Sequence, residues 1–390
     1  MKKIGTLVFL VFLGYLGSAA SAQTLPLSPT ATASVLTCGP GEDFYTSFGH
    51  SALRIQDTAL GIDYVYNYGT FDFDTPHFYW QFTKGSLDYC LSRTSYFMFR
   101  SVYDREGRSV YEQRLWLTPQ EVSNLYVLLE TNYLPEYRYY RYDILLDNCA
   151  TRVRDMVTAA VGSDRIVYSS EEGLHTYRQY LHEAMRDSLE WWALGVDMLL
   201  GAVADHRCTA EESMFYPNSM MDLYSSALRC NESGDLPLVY PATTLLAAQP
   251  RSLHRSVPPL AVFGLIFVVV ALLTWKRLWP QWADRVLFTI AGLAGIFLIF
   301  MWTGTSHYCT KWNLNVLWAS PFFLLIAIRM AKSPRWFLWL QMGMLAITLL
   351  IAAIGWPQHY NIAVIPLILT LALRLALLVP RTPQRQQRLR

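Results

Sequence analysis

The sequence predicts an α+β domain in the N-terminal part of the chain, followed by an α-helical membrane domain of five spans. Three observations lead to this prediction. Before about residue 255, short β-branched and aromatic runs alternate with amphipathic stretches. Beyond that point long apolar stretches recur, and they raise the hydrophobic content of the 390-residue chain to 53%. The extreme N-terminus carries an export signal, which places the polar part outside the cytoplasm.

The export signal is a secretory signal peptide. Lys2 and Lys3 form its basic region, residues 7–16 are apolar, and Ala20-Ser21-Ala22 offers small residues for cleavage. Export excludes nucleic acid as a partner. The predicted division of the chain has four parts: signal peptide (1–22), exported domain (23–255), membrane domain (256–380) and basic cytoplasmic tail (381–390).

The membrane domain is predicted from five apolar stretches, at residues 260–275, 286–303, 314–328, 336–354 and 362–378. Basic residues follow the first, third and fifth stretches, among them Arg277, Lys332 and Arg385. Cytoplasmic loops are enriched in such residues, so these segments are expected inside the cell. The other two loops then face the same side as the exported domain, in a multi-pass protein of the bacterial inner membrane.

Cys149 is the strongest candidate for a catalytic residue, because it opens a predicted helix. Asp147 or Asn148 can cap this helix, and Gly162 can end it. The unpaired amides and the dipole at a helix start favour an anion. We therefore expect the pKa of Cys149 to be lowered and its thiolate to be the nucleophile.

A cysteine nucleophile needs a base, and His50 is the best candidate. It begins a predicted strand, residues 50–55, and the return strand spans residues 62–68. The register that suits the side chains pairs Ile55 with Ile62, Arg54 with Asp63, and His50 with Asn67. This register predicts a Cys149–His50–Asn67 constellation in which Asn67 orients the imidazole. Judged on residue types alone, a structural cysteine and a hydrogen-bonded histidine are an equal alternative.

Four segments together resemble the periplasmic domain of the Lnb family, which is associated with lipoprotein N-acylation in Bacteroidota. They are LTCGPG (36–41), FGHSALR (48–54), YNYGTF (66–71) and DNCATR (147–152). The order of His50 before Cys149 is similar to the circularly permuted branch of the papain-like NlpC superfamily, typified by lecithin:retinol acyltransferase. The resemblance runs through most of the chain, membrane region included. One departure is Tyr142-Asp143, where an Asn–aromatic pair is expected.

The resemblance implies a membrane-bound cysteine acyltransferase. Cys149 would take an acyl chain from a membrane phospholipid as a thioester, and the N-terminal amine of a diacylglyceryl lipoprotein would accept it. No cofactor is expected, and no metal, since His175 and His182 lack a further ligand. Two alternatives stay open: an NlpC-type cell-wall amidase or endopeptidase, and a non-catalytic envelope assembly protein in which Cys149 is structural.

Further candidate substrate-binding residues lie in two places. Asn148 and Arg152 flank the nucleophile. His307, Asn313 and Asn315 lie in a polar loop between two predicted spans, where polar groups are costly unless they line a site. This loop either binds a lipid headgroup or the acceptor, or is an ordinary interfacial loop. The tyrosine-rich segment 137–142 is predicted to be a strand or the wall of a substrate groove.

All six cysteines fall on the exported side, where disulfides persist. Cys208 and Cys230 flank a loop-rich stretch and are the favoured bridge. Cys38 and Cys90 are a weaker pair. Cys149 is expected to stay free, as a nucleophile must.

Overall fold

The computed structural model describes residues 26–168, 175–185, 190–230, 234–250 and 256–379. The predicted signal peptide, the predicted boundary at residue 255 and the predicted basic tail lie outside these residues.

The N-terminal part of the chain is built on β-sheets. Its strands, in chain order, are β1 (Thr32–Cys38), β2 (His50–Asp57), β3 (Ile62–Thr70), β4 (Asp88–Ser95), β5 (Val110–Arg114), β6 (Tyr139–Arg141), β7 (Ile166–Val167), β8 (Leu228–Arg229), β9 (Leu236–Pro237) and β10 (Thr243–Leu246). Seven of them form one antiparallel sheet in the order β10–β5–β1–β2–β3–β4–β6. A small second sheet contains β7, β8 and β9.

Helices lie between the strands of the N-terminal part and also form the C-terminal region. In the N-terminal part they are α1 (Phe78–Lys84), α2 (Tyr96–Arg105), α3 (Pro119–Tyr133), α4 (Cys149–Val161), α5 (Tyr177–Ala184), α6 (Glu190–Leu199), α7 (Ala210–Ser213) and α8 (Pro217–Ser226). The C-terminal region contains α9 (Pro259–Trp275), α10 (Gln281–Thr303), α11 (Phe323–Arg329), α12 (Arg335–Ile354) and α13 (Ile365–Leu378). The predicted mixed domain followed by a helical region is confirmed.

The large sheet is covered on both faces. Successive side chains of a strand point to opposite faces, and the core follows this alternation. Leu53 and Ile55 of β2 pack with α3 and α4 on one face. Ala52 of β2 and Val65 of β3 pack with α2 on the other face. Both central strands are therefore buried, and α4 with Cys149 is held against β2 and β3.

The predicted register between β2 and β3 is wrong by two residues. Ile55 pairs with Tyr64, and Arg54 pairs with Val65. A shift of two residues keeps every side chain on its predicted face, because the side-chain period of a strand is two. The predicted ion pair still forms diagonally, with Arg54 Nε 2.7 Å from Asp63 Oδ1. Side-chain chemistry alone did not distinguish the two registers, since long side chains also reach diagonal neighbours.

The C-terminal region agrees only in part with the five predicted spans. Among the described residues, α10 and α12 are long and apolar enough to cross a membrane, while Pro259–Trp275 and Ile362–Leu378 form shorter apolar helices. The third predicted span, 314–328, is not one continuous helix. It divides into a 3-10 turn at Leu314–Leu317 and the seven-residue helix α11. The number of membrane crossings stays a prediction.

Pro321 explains the interruption of the third predicted span. Proline lacks an N–H group and clashes with the preceding helical turn, and α11 begins only after it. The broken segment packs closely on α10 at Gly295. A Cβ added there would lie 1.9 Å from the Ala319 carbonyl oxygen, so a glycine is required for this approach.

The sheet domain and the helical region meet along a seam, which we define as segment 197–205 against the loops 305–315 and 358–361. The Gly201 N–H donates to the Cys309 carbonyl at 2.9 Å, and the Ala202 N–H donates to the Trp312 carbonyl at 3.0 Å. A Cβ at Gly201 would lie 1.8 Å from the Lys311 carbonyl oxygen. The seam therefore brings two backbones into direct contact and leaves little freedom between the regions.

Candidate active site

Helix α4 begins at Cys149, as predicted, and Asn148 is its N-cap. The Asn148 side-chain oxygen accepts from the N–H groups of Ala150 and Thr151 at 2.8 and 3.0 Å. Its amide group donates to the carbonyls of Ile144 and Phe215. All these bonds hold the start of the helix in place, so Asn148 positions Cys149. Asn148 also forms part of the wall of a cavity beside Cys149.

The Cys149 thiol is buried, with 7% of the residue exposed. Burial raises its pKa, although the N–H groups of Ser51, Ala150 and Cys149 itself and the Tyr142 hydroxyl act in the opposite direction. The predicted lowering of the pKa is therefore wrong. The helix start does supply amides to the sulfur, but removal of the thiolate from water outweighs them. Cys149 therefore rests as a thiol, and a role as nucleophile would require a base.

His50 begins β2 and lines the same cavity as Cys149. Its Nε2 lies 3.3 Å from Asn67 Oδ1, so the predicted contact between the two side chains is present despite the shifted register. An amide oxygen only accepts, which makes Nε2 the donor and leaves Nδ1 as the basic nitrogen. Burial, together with the Arg108 charge, lowers the pKa of His50 to about 4. The imidazole is neutral near pH 7, as a general base must be.

The cavity beside these residues has a volume of about 530 Å³ and is lined mainly by apolar side chains. Cys149, His50 and Tyr142 form part of its wall. Phe297 and Met301 of α10 form another part. A volume of this size suits a small-molecule ligand. The cavity is thus shared between the sheet domain and the helical region, and sequence reasoning did not identify its α10 wall.

Tyr142 is a further site residue that sequence reasoning left undecided. The segment 137–142 was predicted to be a strand or a groove wall, and it supplies both. Tyr139–Arg141 forms the edge strand β6, while Tyr142 lines the cavity, interacts with the Cys149 thiol and stacks on Tyr89 with ring centroids 4.6 Å apart. The run of tyrosines in the sequence indicated this segment, but it did not show which tyrosine faces the Cys149 thiol.

Arg152 does not line the cavity. Its guanidinium binds both carboxylate oxygens of Asp147 and lies over the ring of Tyr140, 4.2 Å from the centroid. An arginine that is engaged with a neighbouring carboxylate and an aromatic face stabilises the start of α4. The predicted substrate contact of Arg152 has no support in this arrangement.

Asn313 and Asn315 also do not line the cavity, and both are buried. The Asn313 side chain donates to the carbonyls of Met198 and Leu199 at 2.8 and 3.0 Å. The Asn315 side chain donates to the carbonyls of Asp197 and Met198. These carbonyls belong to the last turn of α6, which has no partners for them within the helix. The two asparagines therefore cap the end of α6, and their predicted contact with substrate has no support in this arrangement.

His307 is the one residue of the predicted polar-loop set that reaches the cavity. Its Nε2 lies 3.0 and 3.1 Å from the carbonyl oxygens of Phe82 and Thr83 at the end of α1. His307 therefore ties the loop after α10 to the rim of the cavity. Among the described residues, no three His, Cys, Asp or Glu side chains are grouped so that they could hold a metal ion.

The predicted disulfides are absent, because all six cysteines are free. Cys38 lies on β1 and Cys90 on β4, with β2 and β3 between them. Three strand spacings amount to about 14 Å, whereas a disulfide spans about 7 Å or less between Cα atoms. Cys208 and Cys230 belong to separate elements, since the Cys208 N–H bonds the His175 carbonyl and the Cys230 N–H bonds the Arg165 carbonyl. The spacing of Cys208 and Cys230 along the chain did not predict whether the two residues lie close together.

The fold and the site together define a protein with a sheet domain, an apolar helical region and, where the two regions meet, a cavity whose wall contains Cys149 and His50. Comparison with family models identifies this combination. Residues 20–183 match the Lnb N-terminal periplasmic domain, and residues 251–386 match the Lnb transmembrane domain. The chain belongs to the Lnb family, and it is a membrane protein with a periplasmic N-terminal domain. This membership supports a lipoprotein N-acyltransferase-like role. Comparison with curated proteins and with solved structures found no match.

Proposed function

We propose that this protein is a membrane-bound cysteine acyltransferase that moves an acyl chain from a membrane phospholipid to the N-terminal amine of a diacylglyceryl lipoprotein. The main support is the apolar cavity that joins Cys149 and His50 to Phe297 and Met301 of the transmembrane domain. An apolar cavity with two reactive side chains in its wall suits a lipid acyl chain. It does not suit the polar peptide and sugar units of a cell wall, so the amidase alternative is disfavoured.

In the first half-reaction, His50 Nδ1 accepts the Cys149 proton while the sulfur attacks the acyl ester carbonyl. The N–H group of Cys149 itself stabilises the oxyanion that forms, since Asn148 engages the N–H groups of Ala150 and Thr151. The bond from the carbonyl carbon to the glycerol oxygen then breaks. The protonated His50 gives its proton to that oxygen, so a lysophospholipid leaves and a thioester remains on Cys149.

In the second half-reaction, the lipoprotein amine attacks the thioester carbonyl. His50 accepts a proton from the attacking nitrogen, the carbon–sulfur bond breaks, and the sulfur recovers the proton. The products are an N-acylated lipoprotein and the free Cys149 thiol. Asn67 holds the imidazole through Nε2 during both steps, and Tyr142 and Asn148 hold the nucleophile and its helix.

The chemistry is tested by comparing two cysteines of the same cavity. Cys149 and Cys309 both line the cavity with His50, but Cys149 also begins a helix. We expect Cys149→Ser to abolish N-acylation of lipoproteins, read from mass spectra of their N-terminal peptides, and Cys309→Ser to preserve it. Normal N-acylation in cells that contain only the Cys149→Ser protein would overturn the mechanism and favour a non-catalytic assembly role.

The architecture of the proposal includes three features: a circularly permuted papain-like domain at residues 23–255, five spans at 256–380 and a location in the inner membrane. The order of His50 before Cys149 along the chain supports the permutation. Basic residues after the first, third and fifth spans support the orientation. Phosphatase reporters fused after Trp279, after Lys332 and at the C-terminus are expected to be inactive, because these points are cytoplasmic. Activity at any of them would overturn the five-span arrangement.

A further inference from the structure

The cavity meets the molecular surface at three aromatic side chains. Tyr45, Phe82 and Phe297 line the cavity, yet they are 53%, 41% and 47% exposed. A side chain that is both exposed and part of the cavity wall lies at an opening. Because Phe82 belongs to α1 and Phe297 to α10, this opening lies between a helix of the periplasmic domain and a membrane helix.

Helix α1 carries further exposed aromatic side chains beside this opening. Tyr79 is 80% exposed and Trp80 is 57% exposed. Clusters of large apolar side chains at a surface mark contacts with proteins or membranes. The Trp80 ring stacks on Phe300 of α10, with centroids 5.8 Å apart. Phe300 lies in the last turn of α10, and this is the level at which membrane proteins place tryptophan and tyrosine.

The backbone of α1 is tied to the loop that follows α10. The Ser306 N–H donates to the Lys84 carbonyl at 2.9 Å, and His307 Nε2 contacts the carbonyls of Phe82 and Thr83. These bonds hold the depth and direction of α1 relative to the membrane helix. These hydrogen bonds therefore fix the exposed aromatic face of α1 at the junction between the domains.

We propose that α1 lies in the boundary between lipid headgroups and acyl chains, with Tyr79 and Trp80 immersed, and that the gap between Phe82 and Phe297 is the port through which a lipid acyl chain enters the cavity. Lys84, exposed at the end of α1, suits the phosphates of the lipid surface. The partner is the lipid bilayer, and the entry of an acyl chain for transfer rests on the proposed function.

Lipid contact is tested by photo-crosslinking of the full-length protein in vesicles of phosphatidylethanolamine and phosphatidylglycerol. A photoreactive phenylalanine analogue replaces Tyr79 or Phe82, and in the control it replaces Phe97 of α2, which is 75% exposed and lies outside the cavity wall. We expect lipid adducts by mass spectrometry at positions 79 and 82 and few at position 97. Adducts at none of these positions, or equally at all three, would overturn the lipid contact.

Entry through the port is tested with Phe82→Asp and Trp80→Ser, and Phe97→Ser is the control. Acylation of Cys149 is followed by intact mass, with either vesicle phospholipid or a short water-soluble thioester as the donor. A charge or a polar group at the lipid boundary opposes entry, so we expect both variants to react at least about tenfold more slowly with the phospholipid. Trp80 lies outside the cavity wall, so the reaction of Trp80→Ser with the soluble thioester should stay within about twofold of that of the unaltered protein.

The possible outcomes separate the port from the chemistry. Unchanged acylation of Phe82→Asp by vesicle phospholipid would overturn the port. No acylation of Cys149 by phospholipid in the unaltered protein would overturn the proposed function, while the cross-links would still decide the lipid contact. If Trp80→Ser also loses its reaction with the soluble thioester, the substitution affects more than lipid entry, and the cross-linking of the otherwise unaltered chain decides whether α1 contacts lipid.

Discussion

The cavity and the seam use similar side chains in opposite ways. At the cavity, the Cys149 thiol and the His50 imidazole form part of the wall. At the seam, Asp197 is buried and accepts hydrogen bonds from Arg178, His182 and Asn361. The side chains of His182, Asn313, Asn315 and Asn361 there form hydrogen bonds with the protein itself. A polar cluster near a membrane is therefore a site only if some of its groups are left facing a space that a ligand can enter.

His50→Ala is the change with the largest expected effect, and it tests the proposed catalytic role of the cavity residues. General-base catalysis contributes about 10²–10⁴-fold, so we expect acylation of Cys149 to slow by that factor while the melting temperature is nearly unchanged. His206→Ala is the matched control, because His206 is an exposed histidine that binds Glu212. The measurement is the rate of acyl-enzyme formation by intact mass. Rates within a few fold of each other would show that His50 is not the base.

Asp197→Ala tests the seam. Arg178 is almost completely buried and pairs with both Asp197 and Asp205. Removal of one partner of a buried ion pair typically costs about 3–5 kcal/mol, because the other charge stays buried without compensation. We expect a clear fall in the thermal unfolding temperature of the full chain in detergent. Asp222→Ala, at an exposed aspartate, should have little effect. Equal stability of the two variants would show that the seam does not hold the domains together.

Two asparagines allow a direct comparison of the regions. Asn67→Ala removes one hydrogen bond to the base, so we expect acyl-enzyme formation to slow about five- to tenfold at unchanged stability. Asn313→Ala leaves carbonyls of α6 unpaired and should destabilise the fold by about 1–3 kcal/mol. Its acyl-transfer rate per folded molecule should not change. The reverse pattern would make Asn313 the functional residue and Asn67 the structural one.

The pH dependence of the first half-reaction is the smallest expected effect. His50 acts as a base only when it is neutral, and its pKa is lowered to about 4. We therefore expect kcat/KM for acyl-enzyme formation to remain level as the pH falls from 6.5 to 5, and to drop only near pH 4. Arg108→Gln removes a charge that lowers this pKa, so its acidic limb should move towards higher pH. An acidic limb near pH 6.5 in the unaltered protein would contradict the lowered pKa of His50.

Features that depend on neighbours along the chain were predictable from the sequence. The start of α4 at Cys149 follows from hydrogen bonds between residues two and three positions apart, in which Asn148 pairs with Ala150 and Thr151. The faces of β2 and β3 follow from the two-residue period of a strand, which survives an error of two in the register. The contact between His50 and Asn67 was predictable for the same reason, because both lie on one face near the strand ends.

Features that depend on distant groups were decided by the tertiary structure alone. The helix start lowers the pKa of a cysteine, but burial, to which the whole fold contributes, reverses the direction at Cys149. The roles of Asn313 and Asn315 depend on the end of α6, more than a hundred residues earlier in the chain. The cavity wall at Phe297 exists only because the domains dock. Local sequence patterns determine which residues begin a helix or share one face of a strand. Desolvation and long-range packing determine the pKa and the contacts of those residues.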